Sequence, residues 1–419
     1  MTPPPESPPR VVVVGGGFAG IEVIKTLRRL KIPVAITLVT RQAVFEYYPA
    51  LYKLVTGALP IEVSVPVRTI FADSTIAIVQ GIFTGVAKEQ KTLSVTVEGK
   101  EQHYPYDYLV LALGSETNFF NIKGLPELSY SFKSVAAALR LKEHFCTLFS
   151  KAATLSKEEL VSMLHIIIVG AGPSGVELAG DLRSYLRRVA KEFKVDPSLI
   201  TIDLIEAGNR VLPTLPEKVS VKAEARLRKM GVNIFINRAL AAQEVEEVIL
   251  KDMQVSSHTV IWTAGTRINS AYLSLPDVTL DARKRVVVSP SLTLPDSTDI
   301  FIAGDGAATL YSGLAQTAIE HGRYIGKVIA ATVRNKKFPP YAPKQPSFVI
   351  PIGVNWALFV HKKFVVSGFL PWLLRSVVDF RYFLHIVPLS HVFAVFRKGM
   401  KYRKVAGGCP IDTKGKAID

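Results

Sequence analysis

Two sets of glycines carry the first recognisable chemistry in this chain. Gly15, Gly17 and Gly20 stand at GxGxxG spacing, and Gly170, Gly172 and Gly175 repeat it. The first glycine of such a set permits a tight turn, and the second lets the backbone approach a pyrophosphate. The third lets a helix pack closely on a strand, and free amides at the helix start face the phosphate charge. A lone motif of this kind reads equally as an ordinary glycine-rich turn, but two copies support each other. Polar residues at strand ends supply the next chemistry. Glu206 follows Ile200–Ile205, where a carboxylate accepts both ribose hydroxyls of NADH and repels the extra phosphate of NADPH. Arg210 lies close enough to soften that preference. Asp305, in IFIAGDGA, can accept a hydroxyl from the ribityl chain of a flavin, or can cap a turn starting near Ala307. At the end of the second strand in the first copy stands Thr40, followed by Arg41. A hydroxyl there holds a ribose less strongly than an acid.

These residues need strands and helices to place them. Val11–Val14 runs without a polar interruption, as a fully buried parallel strand does. After the first glycines, Val23, Ile24, Leu27 and Leu30 fall on one helical face, with Glu22, Lys25 and Arg29 off it. Val34–Val39 reads as the second strand, Ile76–Val79 and Leu93–Val97 as further strands, and Tyr108–Leu113 as a strand returning to the nucleotide. Residues 45–60, rich in aromatics and broken by Pro49 and Gly57, read as a helix packed under the sheet. Residues 134–160 have an amphipathic helical pattern. The second copy opens with a strand at His165, and Val260–Gly265 occupies in it the place of Tyr108–Leu113 in the first. The fold class expected is α/β, with two Rossmann-like dinucleotide-binding domains and therefore two nucleotides in one chain.

Composition narrows the alternatives. With 419 residues, 48% of them hydrophobic, the chain can build two or three substantial cores. A net charge of +16 suits nucleic acid, anionic lipid, an acidic partner or simple solubility. No recognition motif accompanies it, so a nucleic-acid partner is not expected. Cys146 and Cys409 are far apart, which excludes a redox dithiol of CxxC or CxxxxC spacing, and no metal-ligand spacing is present. The start, MTPPPESPPR, reads as a disordered tail and lacks the basic and apolar regions of a signal peptide.

Residues 368–398 form a second apolar region, interrupted by Arg375, Asp379 and Arg381. The longest stretch after them without Lys, Arg, Asp or Glu, Tyr382–Phe396, has 15 residues and contains Pro388. A bilayer span needs about 20, so no transmembrane helix is expected. Trp372, Leu373, Val377, Phe380 and Leu384 recur at helical intervals, and Arg397, Lys398, Lys401, Arg403 and Lys404 follow. Apolar helix plus basic cluster reads as a segment lying in an anionic membrane interface. The same pattern also suits a helix packed on the flavin domain or at a homodimer interface.

GGGFAG, LVLALGSETNFF, GAGPSGVELAG, IWTAG, IFIAGDGA and AQTAIEHGRYIG occur in the order seen in flavoprotein reductases with two dinucleotide-binding domains. With YYPALYKLVTGAL and SETNFF, residues 10–400 most resemble type II NADH:quinone oxidoreductases. The resemblance implies FAD held by Gly15, Gly17, Gly20, Ala112, Gly114 and Asp305, with Thr40 at the ribose. It implies NADH held by Gly170, Gly172, Gly175, Glu206 and Gly265. It places Glu177 near quinone and nicotinamide; the other reading of Glu177 is a first-turn carboxylate complementing the helix dipole. Gln316 and Glu320 occupy a segment that often carries glutamine at both positions and meets quinone, so Glu320 is a departure. Glu177, Gln316 and Glu320 are the candidate catalytic residues, and a helix starting near Gln316 would point its positive end at the flavin. The domains implied are a tail at 1–10, an FAD-binding domain from 11–133 and 267–345, and an NADH-binding domain at 134–266. A membrane-interface region at 346–419 follows, on the cytoplasmic face. The expected activity is electron transfer from NADH through FAD to a membrane quinone. The alternatives are a related reductase with a soluble acceptor and a non-catalytic NADH-responsive binding protein.

Overall fold

A computed structural model describes residues 7–72, 75–152, 155–389 and 392. The expected tail at 1–10 and the basic cluster from Arg397 to Lys404 lie wholly or largely outside the described residues. In chain order, the strands that matter for the site are β1 (Arg10–Val14), β2 (Ala35–Thr40), β3 (Ala77–Gln80), β4 (Tyr108–Leu111), β5 (His165–Val169), β6 (Thr201–Ile205), β7 (Asn233–Phe235), β8 (Thr259–Trp262) and β9 (Ile300–Ile302). They are followed by β10 (Ser347–Pro351), β11 (Ala357–His361) and β12 (Phe364–Gly368). The helices are α1 (Phe18–Arg29), α2 (Leu51–Val55), α3 (Pro173–Glu192), α4 (Ala315–Val333) and α5 (Phe369–Ile386).

The chain divides into two compact units, each discontinuous in sequence. The first comprises residues 1–46, 65–116 and 266–346, and the second 47–64, 117–265 and 347–419. The first holds a five-stranded parallel sheet in the order β9-β4-β1-β2-β3. Val14 pairs with Val39 on one side and Leu111 on the other, and Leu111 pairs with Ile302. All these strands therefore end at one edge, where their loops can meet a ligand at the reversal of strand order. Val11–Val14 is buried on both faces, as its unbroken apolar run requires. Below it Val12, Tyr106, Leu109, Ile300 and Tyr272 share one core.

The second unit repeats this plan with a four-stranded parallel sheet, β7-β6-β5-β8. Val169 lies between Ile205 and Trp262, as Val14 lies between Val39 and Leu111. Its core gathers Ile167, Val169, Ile205, Val260 and Trp262.

Two segments depart from the expected pattern. Residues 45–60 form no long helix but the end of a strand at Val44–Glu46, a 3-10 turn at Tyr48–Ala50, the short α2 and the start of a second 3-10 turn at Pro60–Glu62, because Pro49 starts a turn and Gly57 ends the helix. After residue 346 the chain first makes an antiparallel meander, β10-β11-β12, before α5 begins. No described helix is long and apolar enough to cross a membrane.

Candidate active site

In the first unit the loop after β1 forms a cradle. Gly15 has φ +112°, a left-handed conformation open to glycine, and a Cβ there would run into the Ala112 carbonyl. Gly20 lies directly against the Gly15 carbonyl, which sets α1 tight on the strand end. Nothing stands in front of Gly17, so a pyrophosphate can come to the backbone there. Thr40, buried at the end of β2, donates its hydroxyl to the Gln42 carbonyl at 2.9 Å and keeps its lone pairs for a ribose. Ala112 and Gly114 continue from β4, and Gly114 has φ +71°. Asp305 sits in a 3-10 turn at Gly304–Gly306 and accepts a 2.7 Å bond from Ser115 Oγ. A two-sided glycine cradle and a strand-end carboxylate at one sheet edge fit FAD.

The second unit has the same cradle. Gly170 has φ +102° and packs on Ala264, Gly175 lies on the Gly170 carbonyl, and Gly172 faces open space. Glu206 takes one backbone N–H on each oxygen, from Ala171 at 2.8 Å and Gly208 at 2.8 Å. Both oxygens retain a lone pair for ribose hydroxyls. Arg210 is engaged elsewhere. It donates to the carbonyls of Leu215 at 2.8 Å and Pro213 at 2.6 Å and to Ser220 Oγ at 2.6 Å. A guanidinium held by these acceptors and by the Leu212 carbonyl at 3.4 Å has little left for a 2′-phosphate, so the softening expected of Arg210 is not built in. Gly265, φ +88°, lies under the Phe120 ring, and its carbonyl accepts from Lys133 Nζ at 3.1 Å. This unit fits a nicotinamide dinucleotide, with the Glu206 carboxylate at the end of β6 and Arg210 turned to its own loop.

The remaining candidates fall in different units. Gln316 and Glu320 lie one turn apart on α4 of the first unit. Gln316 is exposed, and Glu320 accepts the Lys344 backbone N–H. Burial raises the Glu320 carboxyl above its ordinary range against Lys344 and Arg323.

Glu177 belongs to the second unit and is the fifth residue of α3, past the first turn, which contains no acid. The helix-dipole reading is therefore corrected. Instead Glu177 is buried and faces Arg375 Nη1 at 3.3 Å. Arg375 donates through Nε to Asp379 at 2.9 Å and through its Nη atoms to the carbonyls of Val349, at 3.0 Å, and Pro49. Asp379 also takes Lys53 Nζ at 2.7 Å and the Tyr47 hydroxyl at 2.8 Å. Burial pushes the Glu177 carboxyl up to about 7, and Arg375 opposes this only in part. The guanidinium's closer bond is to Asp379, so Glu177 receives the weaker share of its charge. Burial also pushes Asp379 upward, but Lys53 and Arg375 outweigh it and hold it below the ordinary range. Two neighbouring carboxyls thus take different protonation states near neutral pH, which is how acid–base roles separate. Lys53 and Tyr47 lie in YYPALYKLVTGAL, which the sequence marked as a segment without a role for either residue.

Comparison with known proteins agrees with this geometry. Residues 9–322 match the family described as pyridine nucleotide-disulphide oxidoreductase. A type II NADH:quinone oxidoreductase of Haemophilus influenzae is 31% identical over 78% of this chain and 81% of its own. One of Mycobacterium tuberculosis is 27% identical over 91% of this chain and 86% of its own. The solved NDH2 of Plasmodium falciparum in complex with NADH has the same fold, with a TM-score of 0.84 at 20% identity over 95% of this chain and 99% of that one.

Proposed function

The chain belongs to the pyridine nucleotide-disulphide oxidoreductase family and is a flavin-dependent NADH:quinone oxidoreductase, and from that premise we propose how its own residues divide the work. FAD supplies the two-electron carrier between NADH and quinone. The first unit, through Gly15, Gly17, Gly20, Thr40, Ala112, Gly114 and Asp305, holds FAD. The second, through Gly170, Gly172, Gly175, Glu206 and Gly265, holds NADH. The sequence-based division into 11–133 with 267–345 and 134–266 departs from the two compact units at 47–64 and 117–133, which belong to the second unit. Reduction of a quinone consumes protons as well as electrons. Glu177, which holds a proton up to about pH 7 in a buried site, provides one. Arg375 keeps its proton throughout and fixes the geometry between Glu177 and Asp379. On α4 of the first unit, Gln316 and Glu320 are the further candidates for contact with quinone.

We also propose that α5 seats the protein on the membrane that carries the quinone. One observation carries this: the helix is turned inside out. Arg375 and Asp379 are buried, while Leu370 is 73% exposed and Phe369, Leu373, Val377, Val378, Phe380 and Leu384 are exposed beside it. An apolar stripe facing outward from a charged inner face suits insertion into the headgroup–acyl boundary. With Arg397, Lys398, Lys401, Arg403 and Lys404 following, the surface preferred is anionic. Attachment is monotopic, at the cytoplasmic face where NADH is supplied. Flotation of the holoenzyme with vesicles containing an anionic phospholipid tests this. Leu370→Glu with Val377→Glu should abolish co-flotation and leave reduction of a short-chain, water-soluble quinone intact. Continued flotation of that variant overturns the anchor. Loss of a dimer on sizing, with flotation unchanged, assigns the face to a homodimer.

A further inference from the structure

His321 lies on α4, is 0% exposed, and has no part in the chemistry above. Its two ring nitrogens are both engaged within the first unit. The Gly304 N–H donates to Nδ1 at 3.1 Å. Nε2 lies 3.1 Å from Thr309 Oγ1. A backbone N–H can only donate, so Nδ1 must be the unprotonated nitrogen and the ring's single proton sits on Nε2, pointing at Thr309. From there the bonds run in one direction. The Thr309 hydroxyl meets Ser312 Oγ at 2.9 Å, and the Ser312 hydroxyl donates to the Ala307 carbonyl at 2.6 Å. The neutral imidazole thus clasps residues 304–312 from beneath, the segment that begins with the Gly304–Asp305 turn.

We propose that His321 is a positioning residue for the flavin: in its neutral, Nε2-protonated form it holds the Gly304–Asp305 turn in the shape that binds FAD, and its protonation releases that turn. This rests on the reading that Asp305 binds FAD. An imidazolium would present Nδ1–H to the Gly304 N–H, two donors face to face in a buried site. The closed turn therefore excludes the proton.

The surrounding charges do not supply an alternative partner for an imidazolium. On α4 the neighbours are Glu320, which accepts from Lys344, and Arg323, which pairs with Glu22 of α1 at 2.8 Å. Asp305 accepts from Ser115, and Arg285 donates to the Thr309 carbonyl at 2.8 Å. Tyr341 meets the His321 ring edge-on with centroids 4.8 Å apart, and Tyr324 stands behind it at 5.3 Å. Burial lowers the His321 pKa from 6.5 to about 4. A histidine depressed in the closed state contributes stability to that state in full above 6.5. The contribution is lost as pH falls from 6.5 towards about 4.

The test is FAD release from the holoenzyme, read by recovery of flavin fluorescence on dilution, across that pH range. In the wild type, the dissociation constant should be flat above 6.5 and its His321 component should rise by up to about tenfold per pH unit below it. His321→Asn keeps an acceptor for the Gly304 N–H but cannot titrate. It should bind FAD at neutral pH within about threefold of wild type and lose that slope. His321→Leu removes the acceptor and should weaken FAD by about tenfold or more at neutral pH. An unchanged pH slope in His321→Asn overturns the proposal, as does wild-type affinity in His321→Leu. If the leucine variant does not fold, nitrogen NMR of labelled wild-type histidine decides, because a proton on Nδ1 at neutral pH also overturns it. Asp305→Ala separates the two readings. Unweakened FAD binding in that variant removes the flavin assignment of the turn, whereas weakened binding with a failed His321 result removes only the clasp.

Discussion

At the scale of single residues, the candidate site turns on which carboxyl keeps a proton. Glu177 and Asp379 share Arg375, but Asp379 also has Lys53 and Tyr47, so the guanidinium and ammonium charge gather on one side. Glu177 is left with burial as its dominant influence and a pKa of about 7. Glu177→Gln keeps the shape and removes the transferable proton. It should slow quinone reduction by about a hundredfold, while electron delivery to ferricyanide, which takes no proton, stays near wild type. Equal rates with quinone would dismiss Glu177 as a proton donor. The same local logic applies at the second cradle, where two backbone N–H groups fix the Glu206 carboxylate and Arg210 is tied to its own loop.

At the scale of elements, glycine controls how closely helices approach. On α4, Gly322 lies against the Ala19 carbonyl and Glu22 Cβ, and Gly326 against Thr26, so α4 and α1 meet backbone to side chain with no room between. The buried Glu22 carboxylate is then satisfied by Arg323, one residue beyond Gly322. Gly322→Val should push the two helices apart and cost about 1–3 kcal/mol, seen as a lower midpoint in thermal or urea unfolding. FAD affinity should fall with it, because α1 carries the cradle at its start. Unaltered stability would mean that the helices can separate without penalty. For α5 the sequence period was legible, but its sense was not: the charged positions face inward and the apolar ones outward.

At the scale of the whole molecule, buried titratable groups in both units set how stability responds to pH. His321 in the first unit and His144 in the second are each held by burial near pKa 4, below 6.5. Both favour unfolding as pH falls through that interval, because the unfolded chain takes up protons that the folded one refuses. Glu177 acts in the opposite sense. Its raised pKa makes the folded state the better proton binder between 4.5 and about 7, and its contribution is lost as pH rises through that range. Near pH 5.5 unfolding should therefore take up about two protons through the histidines and release about one from Glu177. Calorimetry in buffers of different ionisation enthalpy measures the net uptake. Glu177→Gln should raise it by about one proton, and no change would contradict a folded Glu177 that holds its proton.

Read alone, the sequence determined the two cradles and the order of the elements around them. Their signals are local: glycine spacing within a strand–turn–helix needs only a few consecutive residues, and the repeat at Gly170 verifies the first copy at Gly15. Glu206 and Asp305 were legible for the same reason, since Glu206 follows directly on a buried strand and Asp305 stands three residues past the end of one. The network around Glu177 was decided only by tertiary structure. Its members come from Tyr47 before the 3-10 turn, from α2, α3, β10 and α5, with Glu177 and Arg375 separated by 198 positions and Tyr47 and Asp379 by 332, so no periodicity connects them. His321 was equally silent, as one polar residue in an amphipathic helix whose partner is a backbone N–H. The outward face of α5 followed from the same cause. Hydrophobic periodicity reports that a helix has two faces, and only the buried acceptors that Arg375 bonds and the buried donors that Asp379 bonds decide which face turns in.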